Sequence, residues 1–166
     1  ELQAEGIGTI VDPCPADLGR DVELSAELSQ ATGFPIIAAT GLYNESAGAS
    51  TYWKFRTSRG EAAKLLADFF IRELTEGIGN TGIRAGIIKV ATGLSQITRY
   101  ERAVLEAAAR AALATGAPIT THTEDGQLGD AQQALLTSFG LPAHRIIVRH
   151  CSGSSDHAYH MKIVAG

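Results

Sequence analysis

The sequence predicts an α/β protein on a parallel sheet, and three observations predict it. A short run of β-forming residues, a polar turn and a helical period recur five times along 166 residues, the order that strands joined by helical crossovers require. One run, Ala85 to Ala91, is apolar on both alternating faces apart from a single lysine, as in a strand covered on both sides. One helical period is alanine-rich, which suits close packing on a sheet. Two architectures satisfy this pattern: an open doubly wound sheet, or part of an eight-fold barrel. Five units in this length are about 33 residues each, and eight would need roughly 265, close to barrel size. Periodicity does not separate the two.

The first strand is Ile7 to Val11, stopped by Asp12-Pro13-Cys14-Pro15. A helix follows with Leu24, Leu28 and Ala31 on one face and a stop at Gly33. Pro35 to Leu42 is the second strand. The segment from Tyr43 to about Arg59 reads as an irregular insertion carrying Tyr43, Tyr52, Trp53 and Phe55. Ser58-Arg59-Gly60-Glu61 has the spacing of a capping box for a helix that buries Leu66, Phe69, Phe70 and Leu74. The third strand is Ala85 to Ala91. Thr98-Arg99-Tyr100-Glu101 is a second capping box, opening the alanine-rich helix with Leu105, Ala108, Ala109 and Ala112 on one face and Gly116 at its end. Pro118 to Thr123 is the fourth strand. A helix with Leu135, Leu136 and Phe139 stops at Gly140. Ile146 to His150 is the fifth strand, and Ser154 or Ser155 caps a last helix. No linker or low-complexity tract interrupts residues 1–166, which read as one domain fragment whose first residues belong to a domain interior.

Composition excludes several classes. Net charge is −4 with no basic run, which argues against a nucleic-acid partner. No apolar run is long enough to span a bilayer, so no membrane partner is expected. Cys14 and Cys151 give neither a disulfide framework nor zinc-finger spacing; free thiols favour the cytoplasm.

Lys89 is the focal residue. An unpaired ammonium inside a two-face-buried strand costs several kcal/mol, so Lys89 has a partner or burial lowers its pKa. A neutral amine there can act as a base, form a Schiff base, or take up CO2 to become a carbamate, an anionic oxygen ligand. His122 and His150 lie near the C-terminal ends of the next two strands, the edge where ligands bind in both architectures. Alone, each histidine reads as a satisfied core residue and Lys89 as half of an ion pair. Together, two imidazoles and one anionic oxygen suit a divalent cation such as zinc.

Five stretches then occur in order: Ile10 to Asp21, Ala38 to Tyr43, Thr81 to Thr92, Thr121 to Thr123, and Arg149 to Cys151. Together they resemble the phosphotriesterase family and its phosphotriesterase-like lactonases, in the amidohydrolase superfamily, essentially end to end. The resemblance implies a partial (β/α)8 TIM barrel holding about strands two to six of eight. It implies a carbamate on Lys89 bridging two metal ions, zinc or similar, in a full-length parent. His122 and His150 would hold the more exposed metal. A metal-bridging hydroxide would open a lactone, such as the acyl-homoserine lactones of quorum quenching, or cleave an organophosphate ester. Tyr43 matches a tyrosine near the metal pocket of the lactonase-like members, which would position the electrophilic oxygen or the leaving group, and a homodimer is the usual assembly. Independently of the resemblance, Trp53 and Arg149 are candidate substrate-pocket residues, because loops and strand ends build a barrel's pocket; Arg149 would fill it, bind an anionic substrate group, or point into a helix layer. The family's His-x-His pair and late aspartate are absent, so this chain has ligands for one metal. Arg149 stands where relatives usually have glycine. Two other functions compete: a catalytically incomplete barrel fragment or binding module, and a Schiff-base lysine enzyme on an open α/β sheet.

The remaining polar residues have plainer readings. Trp53 and its aromatic neighbours suit a subunit contact as well as a substrate wall. Cys151, next to His150 on a strand, is expected to face away from it. Asp12 is a turn residue, Asp156 and His157 belong to a loop or helix start, and His144 and His160 are expected at the surface.

Overall fold

The computed structural model describes Leu2 and residues 4–166. Five strands form one parallel sheet: β1 (Ile10–Asp12), β2 (Ile36–Leu42), β3 (Ile87–Val90), β4 (Ile119–Thr120) and β5 (Ile146–Ile147). Among the described residues six α-helices accompany them: α1 (Val22–Thr32), α2 (Thr51–Ser58), α3 (Ala62–Thr75), α4 (Arg99–Thr115), α5 (Gly129–Ser138) and α6 (His157–Ala165). The spatial order is the chain order, β1-β2-β3-β4-β5. A doubly wound sheet reverses its order at a switch point; a barrel does not. The fold is therefore α/β and an arc of a (β/α)8 barrel, and the open sheet on which the Schiff-base reading rested is not formed.

The main core lies between the sheet and its helices. Leu66 and Phe70 of α3, and Val104, Leu105, Ala108 and Ala112 of α4, are buried with Ile88, Val90 and Ile119. Side chains alternate along a strand, so Lys89, between Ile88 and Val90, projects from the opposite, concave face. Arg20 forms a two-pronged pair with Glu73 at 2.7 and 2.6 Å and donates to Ala39 O at 2.8 Å, fastening the segment after β1 to α3.

Several expectations are corrected. The strands are shorter than their β-forming runs; Ile7 precedes β1 and is exposed. The chain past β4 keeps laddering, with His122 N–H donating to Val90 O at 2.9 Å and Thr92 N–H to His122 O at 3.3 Å. Beyond β5 it does not: His150 is left-handed, with φ 66° and ψ 18°, and Cys151 opens a 3-10 turn, so strand alternation does not govern that pair. The insertion is not irregular throughout, because α2 occupies it, capped by Ser50, whose Oγ accepts the Trp53 N–H at 3.3 Å. Ser58 ends α2 instead of capping α3; the N-cap of α3 is Glu61, whose carboxylate is taken by Arg56 and Arg59. Asp156 caps α6, while Ser154 Oγ accepts the Asp156 N–H. Leu24 and Leu28 of α1 are 51% and 50% exposed, and Ala31 is exposed too. Helix α1 stands at the end of the arc and packs through Val22 on Ala38, Ile78 and Ala85. His160 is half-buried, its Nε2 3.0 Å from Cys151 O. The Thr98–Glu101 capping box forms as expected, and Cys14 and Cys151 are free thiols.

Candidate functional site

Four of the six residues singled out by sequence meet at the C-terminal edge of the sheet. The ring of His122 lies 4.6 Å from that of His150 and 5.0 Å from that of Tyr43, centre to centre. Lys89 is 4% exposed, and its Nζ donates to Thr121 O at 2.8 Å, one residue before His122. Burial, then the nearby Arg149 charge, lowers the Lys89 pKa to about 8. No carboxylate pairs with it among the described residues. The His122 pKa is lowered as well, by burial first and then by Lys89 and His150; Glu124 Oε2, at 3.4 Å, pulls the other way. Both effects favour neutral nitrogen, the protonation state that a metal ligand or a carbamate-forming amine needs. Arg149 is exposed and acts here through its charge and through its carbonyl, which accepts the Thr123 hydroxyl at 2.9 Å.

Two close backbone approaches shape the site. Gly41 pairs in register with Lys89 at φ 120°, and a Cβ there would lie 1.8 Å from Lys89 O. The loops after β4 and β5 touch through glycines: a Cβ on Gly126 would meet Ser154 N at 2.5 Å, and one on Gly153 would meet Asp125 C at 2.7 Å. That contact draws the His150 turn toward the His122 segment. His150 holds left-handed backbone without being glycine, a conformation that costs about 1–3 kcal/mol and concentrates at functional sites.

Three buried or half-buried residues that the sequence did not assign to the site support it. Glu101 is 1% exposed. Its Oε1 accepts the N–H groups of Glu45 and Gly93 at 3.2 and 2.9 Å, and its Oε2 that of Thr98 at 3.0 Å. One carboxylate thus joins the loops after β2 and β3. Gln132 of α5 donates to Thr92 Oγ1 and His122 O, both at 2.7 Å, bracing the His122 backbone. Asp17 accepts the Tyr43 N–H on both oxygens at 3.0 Å. Only the capping-box spacing of Glu101 left any trace in the sequence. Trp53 does not join the four: it packs against the helix-side core and lines a cavity with Leu42, Phe69 and Tyr100.

The donor set fits a single cation on one condition. Among the described residues no three His, Cys, Asp or Glu side chains converge as a metal site, so two imidazoles need the oxygen that a carbamate on Lys89 would add. Thr120, the register partner of Lys89, has a buried hydroxyl without a hydrogen-bond partner among the described residues, and so does Thr121. The Thr120 hydroxyl, on the Lys89 face of the sheet, can donate to a newly made anionic oxygen, whereas Thr121 next to it on the strand projects to the other face.

The model of the phosphotriesterase family matches residues 1–166. A phosphotriesterase homology protein of Mycobacterium tuberculosis is 36% identical over 168 residues, 99% of this chain and 51% of that protein. An aryldialkylphosphatase of Saccharolobus solfataricus is 34% identical over 161 residues, 96% of this chain and 49% of that protein. Among solved structures, a mutant PTE-like lactonase of Deinococcus radiodurans superposes with a TM-score of 0.95 at 48% identity, over 99% of this chain and 51% of that one. The chain spans about half the length of the curated relatives it matches. With a match along its whole length and a five-strand arc of the same barrel, this chain belongs to the phosphotriesterase family.

Proposed function

We propose that this chain carries the exposed half of the metal centre of a hydrolase that opens lactones or cleaves organophosphate esters. The observation that carries the reading is the convergence of Lys89, His122 and His150 in a family member, with the two imidazoles 4.6 Å apart and the lysine beside them. The neutral Lys89 amine attacks CO2, an N–C bond forms and one proton leaves, yielding the carbamate. That oxygen, with His122 and His150, would hold a divalent cation, zinc being the best match to two nitrogens and one oxygen. Such a cation acidifies water and polarises a carbonyl or phosphoryl oxygen.

The chain's own groups do the rest. Tyr43, its backbone fixed by Asp17, presents its ring beside His122 and positions the electrophilic group. Arg149 places a positive charge at the rim, which favours substrates with an anionic substituent. Relatives bear names for both chemistries: an aryldialkylphosphatase in Saccharolobus solfataricus and a phospho-furanose lactonase in Mycoplasmopsis synoviae. We favour the lactone, because a flat ester wedged against Tyr43 needs one oriented carbonyl. Trp53, packed on the helix side, has no part in that preference.

The test has two stages. Zinc binding, followed by calorimetry, is expected to strengthen with added bicarbonate and to be lost in Lys89→Ala and in His122→Ala. Bicarbonate-independent binding that survives Lys89→Ala would sink the ligand set. Turnover is then compared on an acyl-homoserine lactone and on paraoxon; activity on the triester alone reverses the substrate preference.

A further inference from the structure

We propose that the cavity walled by α2, α3 and α4 at the end of β2 is a binding site for a small organic ammonium ion, separate from the Lys89 site. The cavity measures about 300 Å³, room for a six-carbon ring with a head group, and its lining includes Asp17, Leu42, Ser50, Trp53, Phe69 and Tyr100. Leu42, Trp53 and Phe69 make an apolar wall. Aromatic faces attract a cation through their negative π-clouds, Trp most strongly.

The polar end is built, not incidental. Tyr100 is 2% exposed, and its hydroxyl has no hydrogen-bond partner among the described residues. A buried hydroxyl left unpaired costs about 1–3 kcal/mol, so a ligand that pairs it recovers that penalty. Asp17 lines the same space. Its carboxylate accepts the Tyr43 N–H, which leaves acceptor capacity on both oxygens. Burial first, and then the charges of Asp17, Glu45 and Glu101, push the Tyr100 pKa up. Acidic side chains thus surround this hydroxyl, a setting that favours an ammonium over a carboxylate or phosphate. An ammonium carries three donors: enough for Asp17 and the Tyr100 oxygen together. Asp17 also holds Tyr43, so occupancy of the cavity is linked to the position of a residue at the hydrolytic site. The binding claim itself does not depend on that hydrolysis.

Trp53 is the only tryptophan in the chain, so its fluorescence reports this cavity alone. The 166-residue chain is titrated with cyclohexylammonium chloride, with cyclohexanol and with sodium cyclohexanecarboxylate, at ionic strength matched by sodium chloride. A saturable change is expected with the ammonium, at an affinity about tenfold or more above the alcohol, and none with the carboxylate. Equal affinities for ammonium and alcohol would overturn the ammonium assignment, and no saturation by either would remove the site. Asp17→Asn is expected to bring the ammonium down to the affinity of the alcohol, with far-UV circular dichroism unchanged. If that variant does not fold, Tyr100→Phe serves, since it keeps the ring: ammonium affinity falls about threefold to tenfold, and an unchanged affinity refutes the role of the hydroxyl.

Discussion

Lys89 is a base held where its proton is disfavoured, and that has a consequence for stability. The folded pKa is about 8 against an ordinary lysine value of 10.5. Between those values the unfolded chain binds more protons than the folded one, so stability rises with pH across the window from about 8 to 10.5. Below it the penalty is constant, and above it the penalty is gone. For the metal-free protein in CO2-free buffer, the urea midpoint should increase from about pH 7.5 to about pH 9.5, by about 1–2 kcal/mol in unfolding free energy. Lys89→Met, which cannot titrate, should flatten most of that slope; a slope unchanged in the variant assigns it to other groups. Gly41 poses a steric question at the same spot. Its φ of 120° and the 1.8 Å approach to Lys89 O leave no place for a methyl group. Gly41→Ala is expected to cost about 3 kcal/mol or more, through strain and displacement of β3, read as a fall in melting temperature together with weakened zinc binding.

Elements are held to one another by groups whose partners lie far away in sequence, and Glu101 is the clearest case. Its local role, closing the capping box on Thr98, follows from a three-residue spacing. Its second role, receiving the N–H of Glu45 fifty-six positions earlier, follows from nothing local. Glu101→Ala strips three backbone N–H groups of their acceptor at once. The expected loss is about 2–4 kcal/mol, with faster hydrogen exchange at Glu45 and Gly93 and little change within α3. Protection at those two amides that survives the substitution would separate Glu101 from the loops. The same contrast explains what the sequence made legible. Lys89 stood out because a cation in an apolar strand conflicts with its surroundings wherever the strand goes. The alanine face of α4 was readable because close packing needs small residues. Leu24 and Leu28 recur at helical spacing yet face solvent, since periodicity states which face is apolar and not whether a neighbour covers it. Helix α2 is not legible in the sequence because Thr51–Ser58 mixes aromatic, basic and hydroxyl residues with no apolar stripe. The candidate site was legible as a set of strand-end residues; the left-handed turn at His150 and the anchoring of Tyr43 by Asp17 depend on long-range contacts and were not.

At the scale of the whole molecule, the sheet has two free margins. Strand β1 pairs only with β2, and β5 only with β4, among the described residues, so each presents unpaired backbone N–H and C=O groups along one side. Apolar residues accompany both: Ile10 and Val11 at the first margin, Ile147, 50% exposed, at the other. In a closed barrel these margins would not exist. An unpaired parallel edge flanked by exposed isoleucine is a template for a further strand, whether from a longer chain of this family or from a second molecule. A chain of these 166 residues is therefore expected to associate with increasing concentration. Sedimentation velocity between about 5 and about 200 μM should show a rising weight-average mass as edges pair. Charges placed on the edges discourage pairing because an added strand would bury them. Ile10→Lys and Ile147→Lys touch surface positions remote from the α3–α4 core, so they are expected to cost little stability. Each should lower the association, and the double variant should suppress it most. Association that persists in the double variant would move the contact off the sheet edges and onto Tyr52 and Phe55 of α2, two exposed aromatic side chains on one short helix.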